Sequence, residues 1–429
     1  MEIATQEMTN PKRIEWIDVF KGILIILVVV GHATGMFNGY IYQFHMAAFF
    51  FASGLTANVR NKDFLQLIVE KFYRLMVPFY FLGLCGILLF YFLNELGVLS
   101  YISTTVYPEG GVIEALYQLM RGNIYCDWLG ALWFLPVLFI ANIIVKLIDV
   151  ISLRHNKSSF FLGGLVFVFA EYLVLNGEFS VWILGAIAQF YFMVGMMVRK
   201  SGETKKNTLL LTGIMMSAAA IWYGSARWLV ADVMDWPPGK FNGALLDAYL
   251  PVWGILLFSV TAKLISKNRW IKEIFLFIGK STMGIMCFHF LGFKLTYVFL
   301  IMCGKVEKED LYRLTLSAED GNNWWPLLVV AAVLFSIFMW SVLKRNLVIR
   351  ILMGEWKGDI YTCFKCTKIG MIVEECWEFQ KNVCKEMWHT YKYKKSKIHV
   401  VALLIVFTVL GIAIMGRVSL KNIRISFPD

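Results

Sequence analysis

The feature that most constrains this chain is a series of apolar runs, most of them about 17–25 residues, the length at which a helix crosses a bilayer. They fall at Ile17–Met36, Ile41–Ala57, Val77–Leu96, Leu129–Ile148, Phe160–Leu175, Phe179–Val198, Thr208–Val230, Leu245–Ile265, Thr282–Ile301, Trp324–Leu343 and His399–Gly416. A backbone inside hydrocarbon must satisfy its own N–H and C=O groups, so runs of this length specify helices. Only 17% of the 429 residues are charged, against about 25% in soluble domains. The expectation is an all-α polytopic membrane protein, a ten-helix transmembrane bundle plus an additional C-terminal transmembrane helix. The first run follows the polar start MEIATQEMTNPKR without a small-residue cleavage site, so it reads as a retained span rather than a removed signal peptide.

The formal charge of +11 invites a nucleic-acid reading, but the placement of the charges argues against one. With the N-terminus cytoplasmic, most Lys and Arg fall in the inner segments, as the positive-inside asymmetry requires. The charge sets topology, and no nucleic-acid partner is expected. The chain divides into a cytoplasmic segment 1–13, a membrane domain 14–345, a cytoplasmic tail 346–397 and a last span with a short outer end, 398–429. In the tail, Ile369, Ile372, Cys376, Phe379, Val383 and Met387 recur at helical spacing, which predicts an amphipathic helix on the inner membrane surface. Cys363, Cys366, Cys376 and Cys384 also lie there. Their spacings do not match the common four-ligand zinc patterns, so they read as reduced thiols and no metal is expected.

Ionisable residues inside spans are rare and by default point to function. The segment KGILIILVVVGH carries Lys21 and His32. Eleven positions at 100° per residue put both on one helix face, about 16 Å apart along the axis. Lys21 then lies near the inner surface and His32 near the outer one. A snorkelling lysine and a packing histidine are the bland alternatives. His45, in IYQFHMAAFFFASG, comes at nearly the same depth as His32 across a short hairpin. Two imidazoles at one depth suit acid–base chemistry better than a metal, since no matching carboxylate or third imidazole accompanies them. The ninth run, STMGIMCFHFLGFKL, adds His289 and Lys294. The preceding Gly279–Thr282, G-K-S-T, lacks the earlier glycine of a phosphate loop and opens a span.

Taken in order, IDVFKGILIILVVVGH, FHMAAFFFASG, KFYRLMVP, LGALWFLPVLF and GKSTMGIMCFHF resemble the acyltransferase-3 family, integral-membrane O-acyltransferases of surface polysaccharides and cell-wall glycans. The fucose-4-O-acetylase-like branch is the most similar. The resemblance runs from about Ile14 to Leu343. It implies that His32 takes the essential catalytic position and Lys21 the essential basic one, with lysine where much of the family has arginine. His45 matches the second-span histidine, although Ala47 replaces the usual proline. Arg74 matches the basic position before the third span, Trp133 falls in the L-W-F-L motif, and His289 is the late span's histidine. The cysteine-bearing tail and eleventh span depart from the family's ten-span pattern.

The activity so implied is transfer of an acyl group, acetyl by family default, from cytoplasmic acyl-CoA to a hydroxyl of an extracytoplasmic glycan or lipid-linked saccharide. Acyl-CoA is a co-substrate, and no tightly held cofactor is expected. His32 serves as general base, His45 orients the acceptor or aids the oxyanion, and Lys21 and Arg74 serve the donor. Trp133, His289 and Lys294 support the site. The implied setting is the plasma membrane, with the C-terminus outside, among membrane lipids and within reach of a glycan-synthesis complex. The rival is a transporter of a small solute such as an amino acid, with the buried cations lining its path.

Overall fold

The computed structural model describes residues 14–382 apart from 106–107, 156–157, 201–207, 229–233, 237–238, 356–357, 359, 368, 376 and 379–380. The predicted eleventh span and, of the predicted tail helix, Cys376, Phe379, Val383, Cys384 and Met387 therefore lie outside the described residues, while 369–375, 377–378 and 381–382 are helical. The chain divides into two compact units after Gly358. The first unit thus extends past residue 345, where the sequence places the end of the membrane domain. In the second, residues 360–365 form a short helix bearing the exposed thiol Cys363, and the exposed Cys366 follows its end.

The described residues form helices and turns with a single isolated β-bridge. Ten helices fall at the first ten predicted spans, and seven of them are long and apolar enough to cross a membrane. We label the helices α1 (Glu15–Ala33), α2 (His45–Thr56), α3 (Phe64–Glu95), α4 (Gly111–Met120), α5 (Phe134–His155), α6 (Ser159–Leu175) and α7 (Val181–Lys200). The others are α8 (Thr208–Trp228), α9 (Ala244–Ile265), α10 (Arg269–Lys280), α11 (Thr282–Met302), α12 (Ala318–Leu343) and α13 (Leu347–Leu352). Helix α1 is central, packed against α2, α9, α10, α11 and α12. That position explains its almost uniformly apolar sequence: a helix covered on all sides has no polar face to present.

Two elements differ from the sequence expectation. The second predicted span breaks at Tyr42–Phe44, leaving a single turn at Asn38–Ile41 and then α2. Twelve residues of α-helix reach ~18 Å, short of a hydrocarbon core of about 30 Å. Helix α2 is instead a core helix, buried along nearly its whole length. Its apolar run reflects protein neighbours rather than lipid. Gly54 lets it touch α7, because an added Cβ would run into the carbonyl oxygen of Phe192, and Gly195 answers with the same contact on Phe51. Small residues allow backbones to meet in this way.

The second difference is α10, in a segment the span reading leaves as a connection. The sequence RWIKEIFLFIGK has one apolar face too wide for a loop and too many cations for a span. Trp270, Ile274 and Phe277 are exposed while Leu276 and Gly279 are buried, the pattern of an interfacial helix. Its buried face lies on the N-terminal half of α1. An added Cβ at Gly22 would strike the carbonyl oxygen of Phe275, and one at Gly279 that of Asp18. Helix α11 starts where this crossing ends.

Candidate active site

Helices α1 and α11 build the site. Thr282 to His289 is ~10 Å of helix, and His289 lies alongside His32. The two imidazoles stack with centroids 5.4 Å apart and planes 22° from parallel. Counting depth from the end of each run does not reveal this pairing, because it does not say how the two helices pack. Phe290 lies 4.9 Å from His32, centroid to centroid, and closes its other side.

Lys21, His32 and His45 line one cavity of 480 Å3. The common face deduced for Lys21 and His32 is therefore the face of this cavity. Asp18, Lys21 and Lys280 line it toward the start of α1, and His32, His45, Tyr42 and Asp235 toward the other end. Trp133 and Trp236 form an aromatic wall, stacked at 6.3 Å and 22°. A second cavity of 270 Å3, lined by Lys62, Glu70, Lys71 and Arg74, adjoins it. Ser53, Leu75 and Leu138 line both. A cluster of cations thus opens into a mostly apolar passage that ends at imidazoles.

The hydrogen bonds fix the imidazoles. His45 opens α2, and its Nδ1–H donates to the carbonyl of Ile41 across the helix break at 2.8 Å. His289 Nδ1–H donates to the carbonyls of Ile285 (2.9 Å) and Met286 (3.1 Å). In both, the neutral ring keeps its lone pair on Nε2. His289 is fully buried, and its Nε2 has no hydrogen-bond partner among the described residues. His32 Nδ1 lies 3.1 Å from the hydroxyl of Tyr42. Tyr42 also meets His45 edge-on, centroids 5.0 Å apart, so it stands between the two histidines. Burial, with the Asp235 carboxylate nearby, pushes the Tyr42 phenol above its ordinary pKa and keeps it protonated at neutral pH. Burial likewise raises Asp235, against the pull of Lys240. Among the described residues no group of three or more His, Cys, Asp or Glu side chains is arranged to hold a metal.

The other expected residues lie apart. Arg74 is at the second cavity. Lys294 lines neither cavity; its ammonium donates to the carbonyls of Leu311 (2.7 Å) and Arg313 (2.5 Å), fastening the loop between α11 and α12 to α11. Lys294→Met is expected to lower unfolding stability by about 1–3 kcal/mol, because two carbonyls lose their donor. Thermal unfolding in detergent measures this, and the donor KM is expected to stay unchanged. Sequence reasoning missed Tyr42, Asp235, Trp236 and Lys71. Only Lys71 had a signal: K-F-Y-R places two cations one helical turn apart.

Cavity-lining cations, clustered imidazoles and a passage between them on a polytopic helical fold define a membrane protein equipped for group transfer. The family model described as an acyltransferase domain matches residues 14–344, and the chain belongs to the acyltransferase-3 family. It is a membrane acyltransferase; the match does not favour the transporter reading. No curated protein matches the chain, and no solved structure does.

Proposed function

We propose that the protein moves an acyl group, acetyl in its natural reaction, from cytoplasmic acyl-CoA to a hydroxyl of an extracytoplasmic glycan or lipid-linked saccharide. The observation that carries this reading is the continuity of the basic cavity at Lys71 and Arg74 with the passage from Lys21 to His32 and His45. The phosphates of the donor's nucleotide lie against Lys62, Lys71 and Arg74, and its long, mostly uncharged arm follows the apolar passage past Lys21. Trp133, Trp236 and Asp235 suit a sugar, whose ring has apolar faces and a hydroxylated edge.

His32 takes the proton of the acceptor hydroxyl on Nε2. An imidazole is suited to this near neutral pH, where a hydroxyl alone is a weak nucleophile. The oxygen attacks the thioester carbonyl, the C–S bond breaks, and the departing thiolate takes the proton from the imidazolium. For Nε2 to act as base, Nδ1 must carry the hydrogen and donate it to the Tyr42 oxygen. Asp235 favours that arrangement by attracting the phenol's own hydrogen. Neutral His45 has only an acceptor at Nε2, so it orients the acceptor through a neighbouring hydroxyl rather than donating to an oxyanion. His289 acts through His32, holding its ring by stacking.

Tyr42→Phe is expected to lower kcat about tenfold, the worth of one well-placed hydrogen bond, with donor KM unchanged in steady-state assays. The reading as a whole is tested by incubating membranes with acyl-labelled acetyl-CoA and following label into glycan and lipid-linked fractions. Wild type is expected to label an acceptor, and Lys21→Ala to require far more donor. Equal labelling by wild type and Lys21→Ala contradicts the donor assignment. Solute accumulation in vesicles without any labelled acceptor favours a transporter.

A further inference from the structure

Arg74 does not sit in ordinary α-helix. Phe72–Met76, within α3, form a π turn, a widened turn that is rare and concentrated at functional sites. It carries one residue more than the α-helical turn it replaces. The side chains after it are thereby rotated relative to those before it, which lets Lys71, Arg74 and Leu75 all reach the cavities. A π turn is a local conformational excess that neighbouring structure must hold in place.

What holds it lies beyond residue 344, where the family match ends. Asn346 caps α13 by accepting from the backbone N–H groups of Val348 (2.9 Å) and Ile349 (3.2 Å). After α13 the chain reverses at Gly354, with φ +72°, a conformation open to glycine and strained for other residues. There Gly354 lies on the π turn itself: an added Cβ would stand 3.1 Å from Arg74 Cα, Arg74 O and Tyr73 O. The Tyr73 hydroxyl donates to the carbonyl of Ile351 at 2.8 Å. Met353 is buried in the cluster that contains Met76 and Phe79. The pair Lys344–Glu355, at 2.8 Å, ties the ends of the segment together. A hydrogen bond, a backbone-to-backbone contact and a buried side chain from one short segment thus converge on Tyr73–Met76 and its continuation.

We propose that residues 346–355 are a strut that holds the π turn and so positions Arg74 toward the acyl donor. The donor-binding site of this chain then depends on residues outside its acyltransferase domain. Tyr73 and Gly354 are positioning residues that act through Arg74. The proposal rests on the reading of the inner cavity as the donor site.

The test is a double-mutant cycle on donor KM in membranes. Tyr73→Phe removes the bond to Ile351 and is expected to raise the KM for acetyl-CoA about fivefold, with kcat at saturating donor within about twofold. In an Arg74→Ala background the same change is expected to add nothing. Full additivity, or a fall in kcat with KM unchanged, overturns the proposal. A second readout needs no donor. Arg74→Cys is labelled with a cationic thiol reagent, alone and combined with Tyr73→Phe, Gly354→Ala or, as a control on the exposed face of α13, Leu347→Ala. The strut requires the first two to change the labelling rate several-fold and the control to leave it alone; equal rates in all four overturn it. If Arg74→Ala leaves donor KM unchanged while the labelling rates respond, the donor reading fails and the strut stands.

Discussion

Replacing His32 with alanine is expected to cut acyl transfer by roughly 10^2–10^4-fold, the usual contribution of a general base, with donor KM within about twofold. The separation follows from geometry. His32 stands at the far end of the passage from Lys21, against Tyr42, Phe290 and His289, whereas the proposed site for the donor's charged end is at Lys71 and Arg74. Alanine also leaves a hole into which Phe290 can move, so His32→Gln is the sharper variant. Glutamine fills much of the volume and can still meet the Tyr42 hydroxyl, but it cannot accept a proton at neutral pH. Single-turnover transfer with pre-bound donor isolates the chemical step. If His32→Gln keeps more than about a tenth of wild-type rate, His32 is not the base.

The second large effect is structural. Gly279→Val is expected to destabilise the protein by about 3 kcal/mol or more, at the upper end of overpacking, and to displace Lys21. The α1–α10 crossing is a contact of backbone on backbone: any Cβ at Gly279 meets the carbonyl oxygen of Asp18, which cannot rotate away as a side chain can. The helices must separate, and Lys21 lies beside the point of separation. Gly164→Ala is the control, since nothing lies within 4 Å of a Cβ added there. The Gly164 variant is expected to unfold close to wild type in detergent, and Gly279→Val well below it. Residual folded Gly279→Val is expected to show a raised donor KM, because α10 also sets the level at which α11 begins.

Much of this architecture is legible in the sequence, for identifiable reasons. Bilayer length and the covalent period of the helix place ten helices and put Lys21 and His32 on one face; both are local properties. What is not legible depends on how helices meet. Helix α2 reads as a span because burial in protein and burial in lipid select the same side chains. Helix α10 is hidden because its cations suggest a loop. Without α10, nothing indicates that His289 shares a depth with His32. Tyr42 reaches His32 across ten residues of chain through a break that no breaker residue announces, since Tyr42–Phe44 contains neither Gly nor Pro. Asp235 and Trp236 reach the cavity from the connection between α8 and α9. Lys294 illustrates the converse: its intramembrane position suggests the site, yet its ammonium is spent on two loop carbonyls.

The central claim is that donor and acceptor meet from opposite sides of the membrane at His32. Sidedness of transfer tests it most directly. Proteoliposomes are prepared with the Lys71–Arg74 cavity facing the bath, verified in parallel by thiol labelling of a Leu347→Cys variant, and with a lipid-linked saccharide extract trapped inside. Acyl-labelled acetyl-CoA is then added to the bath. The account predicts label in the lumenal saccharides of wild type, none in those of His32→Gln, and none when the protein is oriented the other way. Label confined to saccharides supplied on the same side as the donor would contradict it.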